Sequence, residues 1–553
     1  MIRLLRSGTH GVSRRDAPVF VRVKRAGGHD YLQIVENHRE AGRSVQRVVA
    51  SLGRLDRLQA DGQVDALLRS LARFADHVRI VEDHRAGRLE ARAARQLGPD
   101  LVFGRLWREL GLPQILERLL QDHRFGFPVE RAVYLSVLHR LFAPGSDRAA
   151  DRWRRDVTIP GADGLALHQL YRAMRWLGEH REAIEERLFT RHRDVLTEVT
   201  LAFFDTTTLT FEGRGGQSLG RRGHNKDGHP ELPQMVVGAV LTGEGRPVAC
   251  EMWPGNTADV TVLQPVVERV RQRFGLQRVC WVADRGMVSA ATLRVLEERG
   301  LGYIVGMRMR GCREVAEEVL SRAGRYREVA ENLRVKEVWV EDRRYVICHN
   351  PEEAAKDAAD REAILCGLEE ALGRGGKALV GNRGYRRFLR VERGALAIDR
   401  EKVEADARLD GKFVLRTNTR LPAEEVALQY KRLLLVERFF REMKGELRTR
   451  PIYHHWDDTI RGHVFVSFLA LVLRDELRRR LEAKGLQVGW AEVKQDLEAL
   501  QEVEVRDGES WYLLRTALQG VAGKVLQAVG VAPPPSVRPL PVVPSQAPGT
   551  AVP

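Results

Sequence analysis

Several things are scarce in this 553-residue chain, and each scarcity narrows its function. Cysteine is rare. Cys250, Cys280, Cys312, Cys348 and Cys366 make an odd number with no C-x-x-C pair. That excludes a zinc cluster or a disulfide scaffold and fits a reduced, cytoplasmic protein. No run of about 18 uncharged apolar residues occurs, so no membrane span is expected. The opening MIRLLRSGTHGVSRRD lacks the apolar stretch of about 7–15 residues that marks a signal peptide. No G-x-x-x-x-G-K-[ST] loop occurs, so no ATP is expected. Negative charge is also in deficit: 75 Asp and Glu face 90 Lys and Arg, a net charge of +15.

What is present is ample apolar material, at 43% of residues, and enough length for three or more structural units. The excess charge is not spread evenly. Residues 1–60 carry +7 and residues 411–480 carry +6, which is 13 of the 15 net charges. Clustered positive charge suits a phosphate backbone, so double-stranded DNA is the expected partner.

The chain changes character along its length. Residues 1–60 are basic and β-rich, with FVRVKR, DYLQIVENH and SVQRVVASLG as short strands around turns at Ala26-Gly27-Gly28 and Ala41-Gly42. Their alternating cations fit either a DNA-facing sheet or a solvated face. Residues 61–198 are helical by periodicity, as in VERAVYLSVLHRLF, and are assigned to DNA binding with the N-terminal strands. Residues 199–310 switch to β-β-β-α-β-α-β, the order of a ribonuclease H-like α/β core. Residues 311–411 read as an insertion of helices and strands. Residues 412–482 return to the core, with one long helix expected from Pro422 toward Gly445. Residues 483–530 are read as a helical C-terminal region and residues 531–553 as a Pro-rich disordered tail.

Three acids stand out. Asp205 follows Leu201-Ala202-Phe203-Phe204 and Asp284 follows Val279-Cys280-Trp281-Val282-Ala283, each placed at the end of a buried strand. Glu437 sits between Leu433-Leu434-Leu435-Val436 and Phe439-Phe440. Carboxylates at strand ends face the crevice where α/β sheets bind ligands. Three together repel unless cations neutralise them, and two Mg²⁺ ions about 3.5–4 Å apart do so while clamping both oxygens of a phosphoryl transfer. The single-residue alternatives are a strand-end turn for each Asp and an i,i+4 pair with Arg441 for Glu437.

With these residues in order, the chain resembles the DDE transposases of bacterial insertion sequences, the group with a Tyr-Arg-Glu-Lys signature. That signature, Y-x2-R-x3-E-x6-K, falls on Tyr430, Leu433, Glu437 and Lys444. The stretches FFDTTTLTFEG, KDGHPELPQMVVGAVL, WPGNTAD, VADRGMVS, DGKFVLRTN and VERFFREMKGELRTRPIYHHWDDTIRGHVF carry the likeness across most of 199–470. The acids lie 79 and 153 residues apart, and the longer gap looks like the β-rich insertion these enzymes carry before the catalytic Glu. The resemblance implies cut-and-paste transposition of an insertion sequence. The enzyme would bind terminal inverted repeats, hydrolyse a phosphodiester and join the freed 3′-OH to target DNA. It further implies Asp205, Asp284 and Glu437 as catalytic residues and ligands of two Mg²⁺, with Mn²⁺ as a substitute, and Tyr430 and Lys444 as DNA contacts that orient the 5′ phosphate beside the scissile bond. A homodimer on the transposon ends, in a bacterial cytoplasm, is also implied. A nuclease of the same fold without strand transfer and a non-catalytic DNA-binding derivative are the alternatives.

Leu433 departs from the signature Arg. Tyr430, Glu437 and Lys444 share one stripe of a continuous helix, and Arg441 lies near that stripe. Arg441 is therefore either the replacement cation or a plain partner of Glu437. Lys226, in the loop GHNKDGHP with Asp227, is read as a DNA contact or a polar turn. Trp253 holds a base or caps the core, and Asn256 lines the pocket or forms a turn. His454 and His455 are weak metal candidates without a third ligand, and Asp457 and Asp458 begin the next helix.

Overall fold

The computed structural model describes residues 19–40, 43–72, 83–191, 201–276, 279–310, 312–373, 387–392 and 395–540. The expected Ala41–Gly42 turn, residues 199–200 and residues 541–553 of the tail expected at 531–553 lie outside them, whereas the described start of that tail is ordered and carries the strand Val537–Pro539. The chain forms two compact units, one of residues 1–93, 503–514 and 537–553, the other of residues 94–502 and 515–536. No helix among the described residues is long and apolar enough to cross a membrane.

In the first unit, β1 (Val19–Ala26), β2 (His29–Glu40) and β3 (Arg43–Arg54) form an antiparallel sheet in that order. Gly27 and Gly28, at φ 57° and 78°, make the β1–β2 turn that an L side chain would strain. A second sheet runs β18-β17-β16-β4, from β4 (Leu89–Gln96), β16 (Gln501–Asp507), β17 (Ser510–Arg515) and β18 (Val537–Pro539). The region read as helical at 483–530 therefore contains a hairpin. EVEVRD and SWYLLR alternate with period two around Gly508, at φ 64°.

The second unit is built on two long helices that meet at glycine. In Leu167–Arg191, a Cβ on Gly178 would lie 1.9 Å from the Asp458 carbonyl oxygen. In Asp457–Ala483, a Cβ on Gly462 would lie 1.9 Å from the Met174 carbonyl oxygen. The two backbones touch because neither residue has a side chain.

The main sheet has nine strands in the order β10-β11-β12-β15-β9-β8-β5-β6-β7. Its core strands are β5 (Leu201–Thr210), β6 (Gln234–Thr242), β7 (Pro247–Pro254), β8 (Cys280–Ala283) and β9 (Gly302–Met307). Spatially they run third-second-first-fourth-fifth, with β5, β8 and β9 parallel and β6 antiparallel to β5, as a ribonuclease H-like core requires. Alternation supplies both faces. Phe203, Val282 and Ile304 join one apolar cluster with Phe440 and Phe465. Phe204, Trp281 and Tyr303 join another with Val266, Val270 and Leu293.

Residues 311–411 do not stand wholly apart. β10 (Arg327–Ala330), β11 (Leu333–Val340) and β12 (Arg343–His349) extend the same sheet, because β15 (Lys412–Thr417) pairs antiparallel with both β12 and β9. β13 (Leu389–Glu392) and β14 (Ala395–Ile398) form a separate ribbon. The single long helix expected after Pro422 is instead three pieces: Ala423–Lys431, Leu434–Arg441 and a π-turn at Glu442–Glu446. Buried Leu433 sits at the first break, where its N–H bonds the Tyr430 carbonyl. The wider π-turn at Glu442–Glu446 is of a kind that recurs at functional sites.

Candidate active site

The parallel register fixes the two aspartates. Leu201 pairs with Cys280 and Phe204 with Ala283, so Asp205 and Asp284 are the next residues along adjacent strands. Asp284 leaves its strand there. Asp205 does not, since β5 continues to Thr210 along β6, which places this acid mid-strand. Both line a cavity of about 300 Å³ whose other walls are Phe413, Tyr430, Lys431, Leu433, Leu434 and Glu437.

Asp205 is electrostatically uncomfortable. Burial, with Asp284 and Asp259 adding repulsion, pushes its carboxyl up to about 6 against the pull of Lys226. Its Oδ1 accepts the Thr206 N–H at 2.7 Å. The Lys226 ammonium lies 3.9 Å from Asp205 and 3.1 Å from Asp259, and donates to the Thr206 carbonyl and hydroxyl, each at 2.8 Å. Lys226 is exposed but turns its ammonium toward these acids. Asp259 joins the group through the Thr206 hydroxyl at 2.7 Å.

Across the cavity, the Tyr430 hydroxyl donates to Asp284 Oδ1 at 2.9 Å, and its ring stacks on Phe413. Burial and then the Asp284 charge push this phenol well above its usual range. Glu437 is exposed on the Leu434–Arg441 helix. The alternative reading of a Glu437–Arg441 pair is not met: among the described residues, no hydrogen bond or ion pair engages either side chain. No three His, Cys, Asp or Glu side chains among the described residues are gathered closely enough to hold a metal as they stand. Asp205, Asp284 and Glu437 share one cavity without being gathered into a cluster.

Lys444 lies on the π-turn and is not among the walls of the cavity that Tyr430 and Glu437 line. Its ammonium contacts both Asp227 oxygens, at 3.1 and 2.9 Å, and Arg450 reaches the same carboxylate at 2.5 Å. Burial pulls the Lys444 ammonium down while Asp227 lifts it. Trp253 packs on the core beneath Gly238 with the Arg269 guanidinium 5.8 Å from its ring. Asn256 is exposed in the turn after β7. His454 is half-buried, pushed down to about 4 by its partial burial and then by the Arg140 charge, and lies 3.7 Å from Asp147. A larger cavity of about 410 Å³ lies on the far side of the Leu434–Arg441 helix, but its acids Glu442, Asp475 and Glu482 are each matched to an arginine.

Comparison with known proteins follows the same division. Residues 20–84 match the N-terminal domain of IS1634 family transposases, and residues 200–473 match the transposase DDE domain. The chain belongs to the insertion-sequence DDE transposases. No curated protein matches it. Among solved structures, this transposase aligns with a piggyBac transposase synaptic complex with hairpin DNA, at 10% identity over 73% of this chain and 78% of that one (TM-score 0.35). It also aligns with a Mos1 transposase paired-end complex with a left transposon end, at 13% identity over 33% and 61% (TM-score 0.15). Sequence reasoning about this transposase overlooked Asp259 and Arg450. WPGNTAD was the available signal for Asp259; nothing local marked Arg450.

Proposed function

We propose that this transposase moves its element by cut-and-paste transposition, with Asp205, Asp284 and Glu437 as the catalytic acids. The observation that carries the reading is the pairing of Asp205 and Asp284 on adjacent parallel strands, facing a cavity shared with Glu437. The donor set suits hard divalent cations, because Asp205 is ionised only at a cost that a nearby cation offsets. These three residues would hold two Mg²⁺, or Mn²⁺ in substitution, and the ions would supply activation of water and stabilisation of charge on the transferring phosphoryl group.

The protein's own groups divide the remaining work. Tyr430 fixes the orientation of Asp284. Phe413, Leu433 and Leu434 keep the cavity wall apolar and so strengthen charge interactions inside it. Lys444 and Arg441 hold backbone phosphate beside the scissile bond, and Lys226 keeps the Asp205–Asp259 pair together. Water first cleaves the phosphodiester at the transposon end, leaving a 3′-OH. That hydroxyl then attacks a target phosphodiester, forming one P–O bond as another breaks. Residues 1–60 and the helices of 100–198 recognise the terminal repeats, with two copies holding both ends.

The test uses DNA flanking the gene, a target plasmid and Mg²⁺. Joined products with a new 3′–5′ linkage support the proposal. Nicked ends without joining indicate a nuclease, and intact DNA despite binding overturns the catalytic reading.

A further inference from the structure

The loop between β5 and β6 carries opposite charges on consecutive residues that point apart. Lys226 lies among acids, 3.1 Å from Asp259. Asp227 lies among cations, with Lys444 at 2.9 Å and Arg450 at 2.5 Å. One carboxylate therefore holds an ammonium and a guanidinium together. That is one cation more than it needs, and it matches the two unesterified oxygens of a backbone phosphate.

The cluster is open enough to be reached. The side chains of Lys444, Arg450 and Asp227 are 12%, 30% and 22% exposed. The turn that carries Asp227 is anchored on its own backbone, so a phosphate would reach the two cations by their side-chain rotation. The N–H groups of Asp227 and His229 both bond the Asn225 side-chain oxygen, and Gly228 follows at φ 82° with nothing within 4 Å of where a Cβ would stand.

We propose that Asp227 is an internal stand-in for a DNA phosphate, and that Lys444 and Arg450 form a phosphate clamp that DNA takes from it. The inference rests on the reading that this site acts on DNA and adds Arg450 as a substrate contact. Asp227 then lowers affinity for arbitrary DNA, since a phosphate gains the two cations only by displacing a carboxylate that already holds them.

The experiment is equilibrium binding of the full chain to a fluorescent duplex of arbitrary sequence, in EDTA, across a salt series. Asp227→Asn should bind about fivefold tighter, as expected when one charged competitor is removed. The gain should vanish in the double variant Asp227→Asn/Arg450→Ala. Arg450→Ala alone should weaken binding and reduce the slope of log affinity against log salt by up to about 0.9, the value for one phosphate. Arg450→Lys should largely restore both. If Asp227→Asn folds but binds no tighter, or keeps its gain without Arg450, the clamp is wrong and Asp227 is a structural staple. If Asp227→Asn does not fold, Arg450→Ala decides, and unchanged affinity and slope overturn the clamp. Wild-type protein that binds no duplex at all overturns the DNA reading along with it. Wild-type binding and cleavage without an Asp227 effect counts against the clamp alone.

Discussion

Replacing Asp205 with Asn should stabilise the metal-free protein at pH 8. Burial and the neighbouring Asp284 and Asp259 raise this carboxyl from an ordinary 3.8 to about 6. A group with a raised pKa keeps its proton in the folded state after the unfolded chain has released it. Stability is therefore greatest below about pH 4, falls as pH rises toward 6, and stays lower above. A shift of about two units corresponds to at most about 3 kcal/mol. Asn keeps the shape and removes the charge, but it also loses the attraction to Lys226, 3.9 Å away, so about 1–2 kcal/mol is the expected gain.

The assay is thermal unfolding in EDTA at pH 4.5 and pH 8. The variant should melt a few degrees above wild type at pH 8, with the difference shrinking at pH 4.5. Adding Mn²⁺ at pH 8 should raise the wild-type melting temperature and leave the variant nearly unmoved. A variant less stable than wild type at pH 8, or equally stabilised by Mn²⁺, would refute the view that this acid is held ionised for a cation.

Tyr430→Phe retains the ring stacked on Phe413 and loses the hydrogen bond to Asp284, so cleavage should fall about 10- to 100-fold in a single-turnover assay. An unchanged rate would make that bond irrelevant to catalysis. Gly462→Ala forces a methyl to 1.9 Å from the Met174 carbonyl and should destabilise by about 3 kcal/mol or more, whereas Gly373→Ala, with nothing near its Cβ, should stay within about 0.5 kcal/mol. Comparable denaturation midpoints for the two would contradict the helix contact. Arg273→Met strips Glu185 of its 2.7 Å partner in a fully buried position and should cost about 3–5 kcal/mol, read by urea unfolding.

Elements whose signal is local were legible in the sequence. β5, β6, β8 and β9 declare themselves by continuous apolar runs, and Val129–Phe142 by its apolar content, although the fold buries that helix nearly all round and not along one stripe. Asp284 was visible because RVCWVAD ends where its strand ends. LAFFD carries the same signal for Asp205, but the threonines after it continue β5 along β6 beyond its parallel neighbour. The break at Arg432–Leu433 has no Gly or Pro to announce it, and Leu433 is buried there by contacts made elsewhere in the chain. The alternation around Asp507-Gly508 was a readable hairpin that a helical expectation hid. The Asp227–Lys444 pair joins residues 217 apart, and Asp259 meets Thr206 across 53. Only the folded sheet brings such partners together, so no window of sequence contains them.

The central claim is that Asp205, Asp284 and Glu437 act as one catalytic set. Its most direct test measures Mg²⁺-dependent cleavage of transposon-end DNA by Asp205→Ala, Asp284→Ala and Glu437→Ala beside end binding by the same proteins. Each variant should lose cleavage while binding the ends largely as wild type does. Full cleavage by any one of the three would contradict the assignment.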